Sequence, residues 1–277
     1  MKDKLVIVTG PTSGIGKEIA TRLAGLGAEL VLACRDVAKG EATLGEIERL
    51  SGAKKLSVMQ VDLSSQSSVR QFAERFKSTH SRLDVLVNNA GVNLRKRGKS
   101  EDGIELVFAT NVLGYHLLSR ELGPVLEASA PARIVNVAST FAGNLDLGDL
   151  QFERRRYDAV KAYQQSKACD RLLTWALARR LESSGVTANA MAPGLVQTGL
   201  YRDTPLPIRL VLRVVGLMHG RSVVQGADTA VWLASSPQVQ GQTGKLFELR
   251  KEISCQFRNP EDEERLWEIC EQMVGPS

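Results

Sequence analysis

Aromatic residues make up only 5% of this 277-residue chain, and histidine and cysteine are scarce, with three and four copies. Proteins that bind single-stranded nucleic acid stack bases on aromatic rings set among gathered basic side chains. Here the basic residues are dispersed apart from Arg95-Lys96-Arg97 and Arg154-Arg155-Arg156, so the net charge of +5 reads as solvated loops and no nucleic-acid partner is expected. Cys34, Cys169, Cys255 and Cys270 form no C-x-x-C pair, and His80, His116 and His219 stand alone. That spacing suggests neither a disulfide framework nor a metal site. No run of about 18 apolar residues is present to span a bilayer, and Met1 to Lys4 leads straight into an apolar strand without a signal-peptide pattern. A cytoplasmic protein with no integral membrane segment is the expectation. Repeats and low-complexity tracts are also lacking.

What is present is ordinary globular material, 43% hydrophobic and 24% charged, enough for a large core. Leu5 to Thr9 is a short β-branched apolar run closed by Gly10, and Ile15 to Leu26 then spaces its apolar residues as a helix that stops at Gly27. The alternation recurs with strands at 29–34, 55–61, 84–87, 133–137, 186–191 and 245–249. Helices are expected at 37–50, 67–77, 103–126, 162–182 and 224–234. Strands separated by helices pair in parallel. The expected fold is α/β, a single doubly wound Rossmann-type domain over 1–277 with a seven-stranded parallel sheet. Asn259 as N-cap, Pro260 and a first turn of acids predict a final helix over 260–274. Two stretches interrupt the rhythm, an insertion at 140–161 and a strongly apolar segment at 198–220. Both follow the carboxyl ends of strands, where open α/β sheets bind ligands.

The turn between the first strand and helix reads Thr9-Gly10-Pro11-Thr12-Ser13-Gly14-Ile15-Gly16. Glycines here let the backbone turn tightly and approach a pyrophosphate at a helix N-terminus. After the second strand come Cys34, Arg35 and Asp36, where the adenosine ribose of such a dinucleotide would lie. Arg35 can fork onto a 2′-phosphate; the alternatives are a solvated Arg35 with Asp36 as a helix cap, or Asp36 as a ribose acceptor favouring NAD. An acid selecting NAD would more naturally sit at the strand's last position, which is Cys34, so NADP(H) is expected.

Two Tyr-x-x-x-Lys pairs occur, Tyr157/Lys161 and Tyr163/Lys167. A spacing of four puts phenol and ammonium on one helix face. A phenol titrates near ~10, so a neighbouring lysine that lowers this value would suit a proton carrier. Tyr163 precedes Ala168, Leu172, Trp175 and Ala176, which suit a buried helix, and that context favours it.

Together these residues resemble the short-chain dehydrogenase/reductase family from Lys4 to about Leu249. The glycine turn is joined by Asn88-Asn89-Ala90-Gly91, Asn111, Ser139, Tyr163 and Lys167, in the family's order. The resemblance implies a dinucleotide held by Gly10, Thr12, Ser13, Gly14, Ile15, Gly16, Arg35, Asp62, Leu63, Asn89, Ala90, Gly91, Tyr163 and Lys167, with Pro193, Gly194, Val196 and Thr198 around the nicotinamide. It also implies a proton at Tyr163, a lowered phenol and a ribose contact from Lys167, a carbonyl oriented by Ser139, and a water positioned by Asn111. Leu32-Ala33-Cys34-Arg35-Asp36 and the carboxyl-terminal segment are similar to the retinol dehydrogenase and WW-domain oxidoreductase branch, which is generally NADP-preferring. Ser139 and Tyr163 stand 24 residues apart, longer than the family's commonest spacing. The implied reaction is hydride transfer between NADP(H) and a hydrophobic ketone, aldehyde or alcohol. A noncatalytic dinucleotide sensor or scaffold, and an epimerase or dehydratase using the same residues, are the alternatives. The 198–220 segment is expected to be a substrate lid, with peripheral membrane contact or a homo-oligomer interface as other readings.

Overall fold

The computed structural model describes residues 1–196, 220–255 and 257–276. Its centre is one sheet built from β1 (Leu5–Thr9), β2 (Glu29–Cys34), β3 (Leu56–Gln60), β4 (Val85–Asn88), β5 (Ala132–Val137), β6 (Val186–Met191), β7 (Leu246–Glu248) and β8 (Lys251–Glu252). The strand order is β3-β2-β1-β4-β5-β6-β7-β8, and β1 to β7 are parallel. The order reverses between β1 and β4, which opens a crevice at their carboxyl ends.

Alternation along the strands divides the core in two. Leu5 and Ile7 face a layer containing α3 (Gln66–Thr79), α5 (Gly114–Glu121), α7 (Ala159–Arg180) and α9 (Pro260–Val274). Val6 and Val8 face the opposite layer of α1 (Gly14–Gly25), α2 (Val37–Ser51) and α8 (Val223–Ser235). Near-continuous Val, Leu and Ile in the central strands follows from covering both faces.

Three elements differ from the sequence expectation. The stretch 103–126 is not one helix. The Glu105 carboxylate accepts from the Val107 and Phe108 amides at 3.0 and 2.8 Å, starting the short α4 (Leu106–Phe108). A π turn (Ala109–Leu113) leads into α5, and α6 (Gly123–Ala128) restarts at Gly123-Pro124. α7 begins at Ala159, capped by the Asp158 carboxylate on the Lys161 amide at 3.0 Å, so the insertion ends sooner than position 161. An eighth, antiparallel strand follows β7 through Leu249 and Arg250, whose φ values of 49° and 60° are left-handed although neither residue is glycine. The predicted α9 is present from Pro260 to Val274, with Leu266, Cys270 and Val274 against the core. Of the 198–220 segment, all but Gly220 lies outside the described residues.

Candidate active site

The crevice is a cleft of about 490 Å³ whose lining runs from the glycine turn through the ends of β2, β4 and β5 to α7 and Pro193-Gly194. Every residue expected to hold the dinucleotide lines it except Thr198, which is outside the described residues.

At the phosphate end, Gly10 has φ +62°, and a Cβ there would come within 2.8 Å of the Ala90 Cα. A Cβ on Gly16 would collide with the Asn89 amide nitrogen and the Gly10 carbonyl. The two glycines are therefore required by the close approach of the β1 and β4 ends. That junction is tied by Asn89, whose side chain donates to the Thr9 and Gly10 carbonyls at 2.9 and 3.2 Å, while Thr9 Oγ1 accepts from the Asn89 and Ala90 amides at 2.9 and 3.1 Å. Thr9 also lines the cleft, a role its place in the strand run concealed. Ser13, the N-cap of α1, makes no side-chain bond to the helix's first amides, so those donors have no local cap. Bare amides at a helix start beside a glycine cradle suit a pyrophosphate.

At the adenosine end, Asp36 is engaged as the cap of α2, accepting from the Lys39 amide at 3.1 Å and pairing with the Lys39 ammonium at 2.9 Å. The Lys39 backbone and side chain together hold the Asp36 carboxyl below its ordinary range. Arg35 is 77% exposed at its side chain, with only a loose 3.9 Å approach to Asp62. Lys39 was not anticipated, yet it lines the cleft together with Arg35, which precedes α2.

At the far end, β5 delivers Ser139 and α7 delivers Tyr163 and Lys167 to the cleft wall. All three are buried. Burial pushes the Tyr163 phenol up to about 12, the Ser139 hydroxyl pulls it down, and the charge of Asp170 raises it. This differs from the expected lowering by Lys167. The reason is geometric: the Lys167 ammonium lies 6.0 Å from the Tyr163 ring centroid and donates instead to the Val137 carbonyl at 2.9 Å and the Asp170 carboxylate at 2.7 Å. Asn111 is in the π turn and is absent from the cleft lining, where Thr110 stands in its place. Its side chain accepts from the Val92 amide at 2.8 Å and donates to the Val92 carbonyl and Ser166 hydroxyl, each at 3.0 Å. Asn111 therefore joins the β4 exit loop to α7.

The insertion is folded against this wall. Burial pushes the Asp149 carboxyl up, but amides of Arg155, Glu153 and Arg154 and the Arg155 guanidinium bring it down to about 2. Arg155 lies 4.4 Å over the Phe152 ring and donates to Gln165 of α7 at 3.0 Å. Tyr157 donates to the Leu94 carbonyl at 2.9 Å, and Lys161 is exposed. The structure brings Tyr163 and Lys167 to the glycine turn's cleft; neither Tyr157 nor Lys161 lines it.

Residues 4–206 match the family model described as short chain dehydrogenase, and the chain belongs to that family. Within it, the chain falls in the retinol dehydrogenase branch. Human retinol dehydrogenase 14 is 38% identical, over 99% of this chain and 87% of its own length. Among solved structures, a 3-oxoacyl (acyl-carrier-protein) reductase from Agrobacterium tumefaciens C58 with NADP bound has a TM-score of 0.71 and 25% identity, covering 89% of this chain and 92% of that one. A 3-ketoacyl-(acyl-carrier-protein) reductase from Brucella melitensis complexed with NADH has a TM-score of 0.70 and 27% identity, covering 89% and 96%. Family and neighbours define an oxidoreductase that uses a nicotinamide dinucleotide. No helix among the described residues is long and apolar enough to cross a membrane.

Proposed function

We propose that this chain is an NADP(H)-dependent carbonyl reductase for bulky apolar ketones or aldehydes, able to run in reverse as an alcohol dehydrogenase. The observation that carries the reading is the meeting of Ser139, Tyr163 and Lys167 at one end of a cleft whose other end is the glycine turn. When bound, the reduced coenzyme supplies the hydride. Tyr163 holds the proton at its phenolic oxygen; a phenol raised to about 12 keeps that proton at neutral pH, the state a donor needs. Ser139, whose hydroxyl draws the Tyr163 phenol down, would orient the substrate oxygen. An ammonium has three donors, and two of those on Lys167 are engaged, leaving one for the coenzyme ribose. Asn111 acts through the backbone it holds, since its side chain is fully engaged with Val92 and Ser166.

For the coenzyme, Arg35 and Lys39 put two cations at the adenosine end, while Lys39 and the α2 amides occupy Asp36; both features favour a 2′-phosphate. For the substrate, Phe141, two residues past Ser139, and Val160, three before Tyr163, are apolar yet 50% and 51% exposed. The apolar 198–220 segment adds a sequence argument for a covering lid. Coenzyme absorbance during incubation with a panel of aldehydes and ketones tests the reading. NADPH consumption that rises with substrate hydrophobicity supports it, and a chain that binds coenzyme but turns over no carbonyl or alcohol with either coenzyme defeats it. Leu210→Ser with Leu217→Ser should raise KM for apolar substrates and spare coenzyme affinity; no change in KM would remove the lid.

A further inference from the structure

Behind the Tyr163 wall, α7 presents a carboxylate that the reaction above does not use. Asp170 lies one turn beyond Lys167, with the Asp170 side chain 1% and the Lys167 side chain 5% exposed. Its Oδ2 accepts from the Lys167 ammonium at 2.7 Å, and its Oδ1 is buried with no hydrogen-bond partner among the described residues. A buried ionic oxygen without a partner is costly, so its persistence calls for an explanation. Asp170 also lines a cavity of about 20 Å³ shared with Tyr115, His116, Ser119, Asn136 and Trp267, large enough for one water. The surrounding polar groups are organised. Asn136 donates to Thr174 Oγ1 at 2.9 Å, and Thr174 Oγ1 donates to the Asp170 carbonyl at 2.6 Å. His116 continues outward to Glu271 of α9 at 2.6 Å.

We propose that Asp170 is a positioning residue for the reaction at Tyr163: its carboxylate clamps the Lys167 ammonium to the cleft floor and offsets the lysine's charge as felt by the phenol. This rests on the reading of Tyr163 and Lys167 given above. Two consequences follow from the geometry. Asp170 and the Val137 carbonyl together fix two of three ammonium donors, so the remaining one has a single direction to serve. The pair is close to neutral as a unit, so Tyr163 faces a compensated lysine and retains its proton more firmly than a lone ammonium would allow. Burial raises the Asp170 carboxyl to about 6, with Lys167 and then Arg171 drawing it down, so the compensation is present at neutral pH and fades as acid protonates the carboxylate. The other titratable groups around the pair are Tyr163, Cys169 and Arg171 on α7, Tyr115 and His116 on α5, and Glu271 on α9. Of these, Glu271 is engaged by His116 and Arg120, so Asp170 is the acid bonded to Lys167.

Tyrosinate absorbance, taken as the difference between each protein and its Tyr163→Phe counterpart, reads the phenol without needing a substrate. Asp170→Asn keeps the shape and an acceptor for lysine while removing the charge, and should move the Tyr163 titration to lower pH by about one unit. Asp170→Ser, smaller and also uncharged, should move it the same way and serves if the first variant does not fold. The rise of alcohol oxidation with pH, which reports formation of the phenolate base, should shift with it, ahead of any change in coenzyme affinity. An unmoved titration in the folded variants, or none before alkaline unfolding, overturns the role of Asp170 whatever the turnover. A shifted titration in a protein that turns over no carbonyl or alcohol would overturn the proposed reaction and leave the Asp170 clamp standing.

Discussion

Tyr157 donates its phenolic hydrogen to the carbonyl of Leu94 at 2.9 Å, bracing the insertion against the loop that leaves β4. Its ring meets Phe152 edge-on at 5.5 Å between centroids. A phenol that does not line the cleft and is held by a backbone acceptor is a strut, and desolvation with the nearby Glu105 and Asp158 charges pushes its ionisation far upward. Tyr163→Phe should therefore lower turnover by about 10²–10⁴-fold, the range typical of general acid-base catalysis, with NADPH binding preserved. Tyr157→Phe should keep most of its turnover and lose a little thermal stability. Steady-state rates at saturating coenzyme check this, and a dead Tyr157→Phe beside an active Tyr163→Phe would reverse the assignment.

Coenzyme choice should sit with Arg35 and Lys39. Each is exposed, so each contributes modestly until a phosphate draws them together. Arg35→Ala should cut the preference for NADP(H) over NAD(H) by about tenfold, the equivalent of about 1.4 kcal/mol. Lys39→Ala should cut it less, since its ammonium is shared with Asp36. Dissociation constants for both coenzymes provide the measurement. An unchanged ratio in both variants removes the pair from coenzyme selection, and a natural preference for NAD(H) points to Asp36.

Gly16→Ala tests the cradle. Its added methyl would push on the Asn89 amide and the Gly10 carbonyl, both fixed by backbone contacts. Overpacking of this kind costs about 1–3 kcal/mol. For a domain of this size the thermal midpoint should fall by roughly 2–4 °C per kcal/mol, with a larger proportional loss in coenzyme affinity. Retained affinity at a lowered midpoint would show that the turn is structural only.

Acid should loosen the anchorage of α9. His116 and Arg120 hold the Glu271 carboxyl down to about 2 against the opposing effect of burial. A carboxyl depressed in the folded state adds stability above its unfolded value near ~4.3, and that stability is lost as pH falls from there through the folded value. The midpoint difference between the unmutated protein and Glu271→Gln should be largest at neutral pH and shrink toward pH 2. A difference that stays constant across the range would mean that the Glu271 charge contributes nothing.

Strands were the most legible feature, because a parallel sheet covered on both faces leaves uninterrupted apolar runs such as Leu5 to Val8 and Leu30 to Cys34. The cleft was equally readable at its glycine turn and at Asn89 to Gly91, where backbone crowding restricts the residue type. Periodicity did not reveal the π turn at Ala109–Leu113, since one extra residue in a helical ring leaves a continuous apolar pattern intact. The β7–β8 hairpin escaped because Leu249 and Arg250 carry none of the usual turn chemistry. The cap of α7 was available in Asp158, hidden inside the competing Tyr157/Lys161 pair. Asp170 lies one turn from Lys167, so helical spacing points to it once α7 is known; Lys39 is on α2 and Arg35 precedes that helix, so it is the cleft that brings these two together. What spacing cannot supply is the partnership, because whether an ammonium turns toward a phenol or a carboxylate depends on burial from elements far away in the chain.

The sheet also has two unlike margins. On one side β7 is followed by β8, two residues long and bearing Lys251 and Glu252, both exposed. A charged strand this short offers almost no template for another chain. On the other side β3 is five residues long and pairs with β2 along one edge; its last carbonyl, at Gln60, is taken by Arg75 at 2.8 Å. Recruitment of a foreign strand during misfolding is thus directed to β3, where Lys54 and Lys55 just ahead of it stand as the electrostatic gatekeepers. Replacing those two lysines with neutral residues removes that guard without touching the cleft, so aggregation on storage can be tuned independently of chemistry.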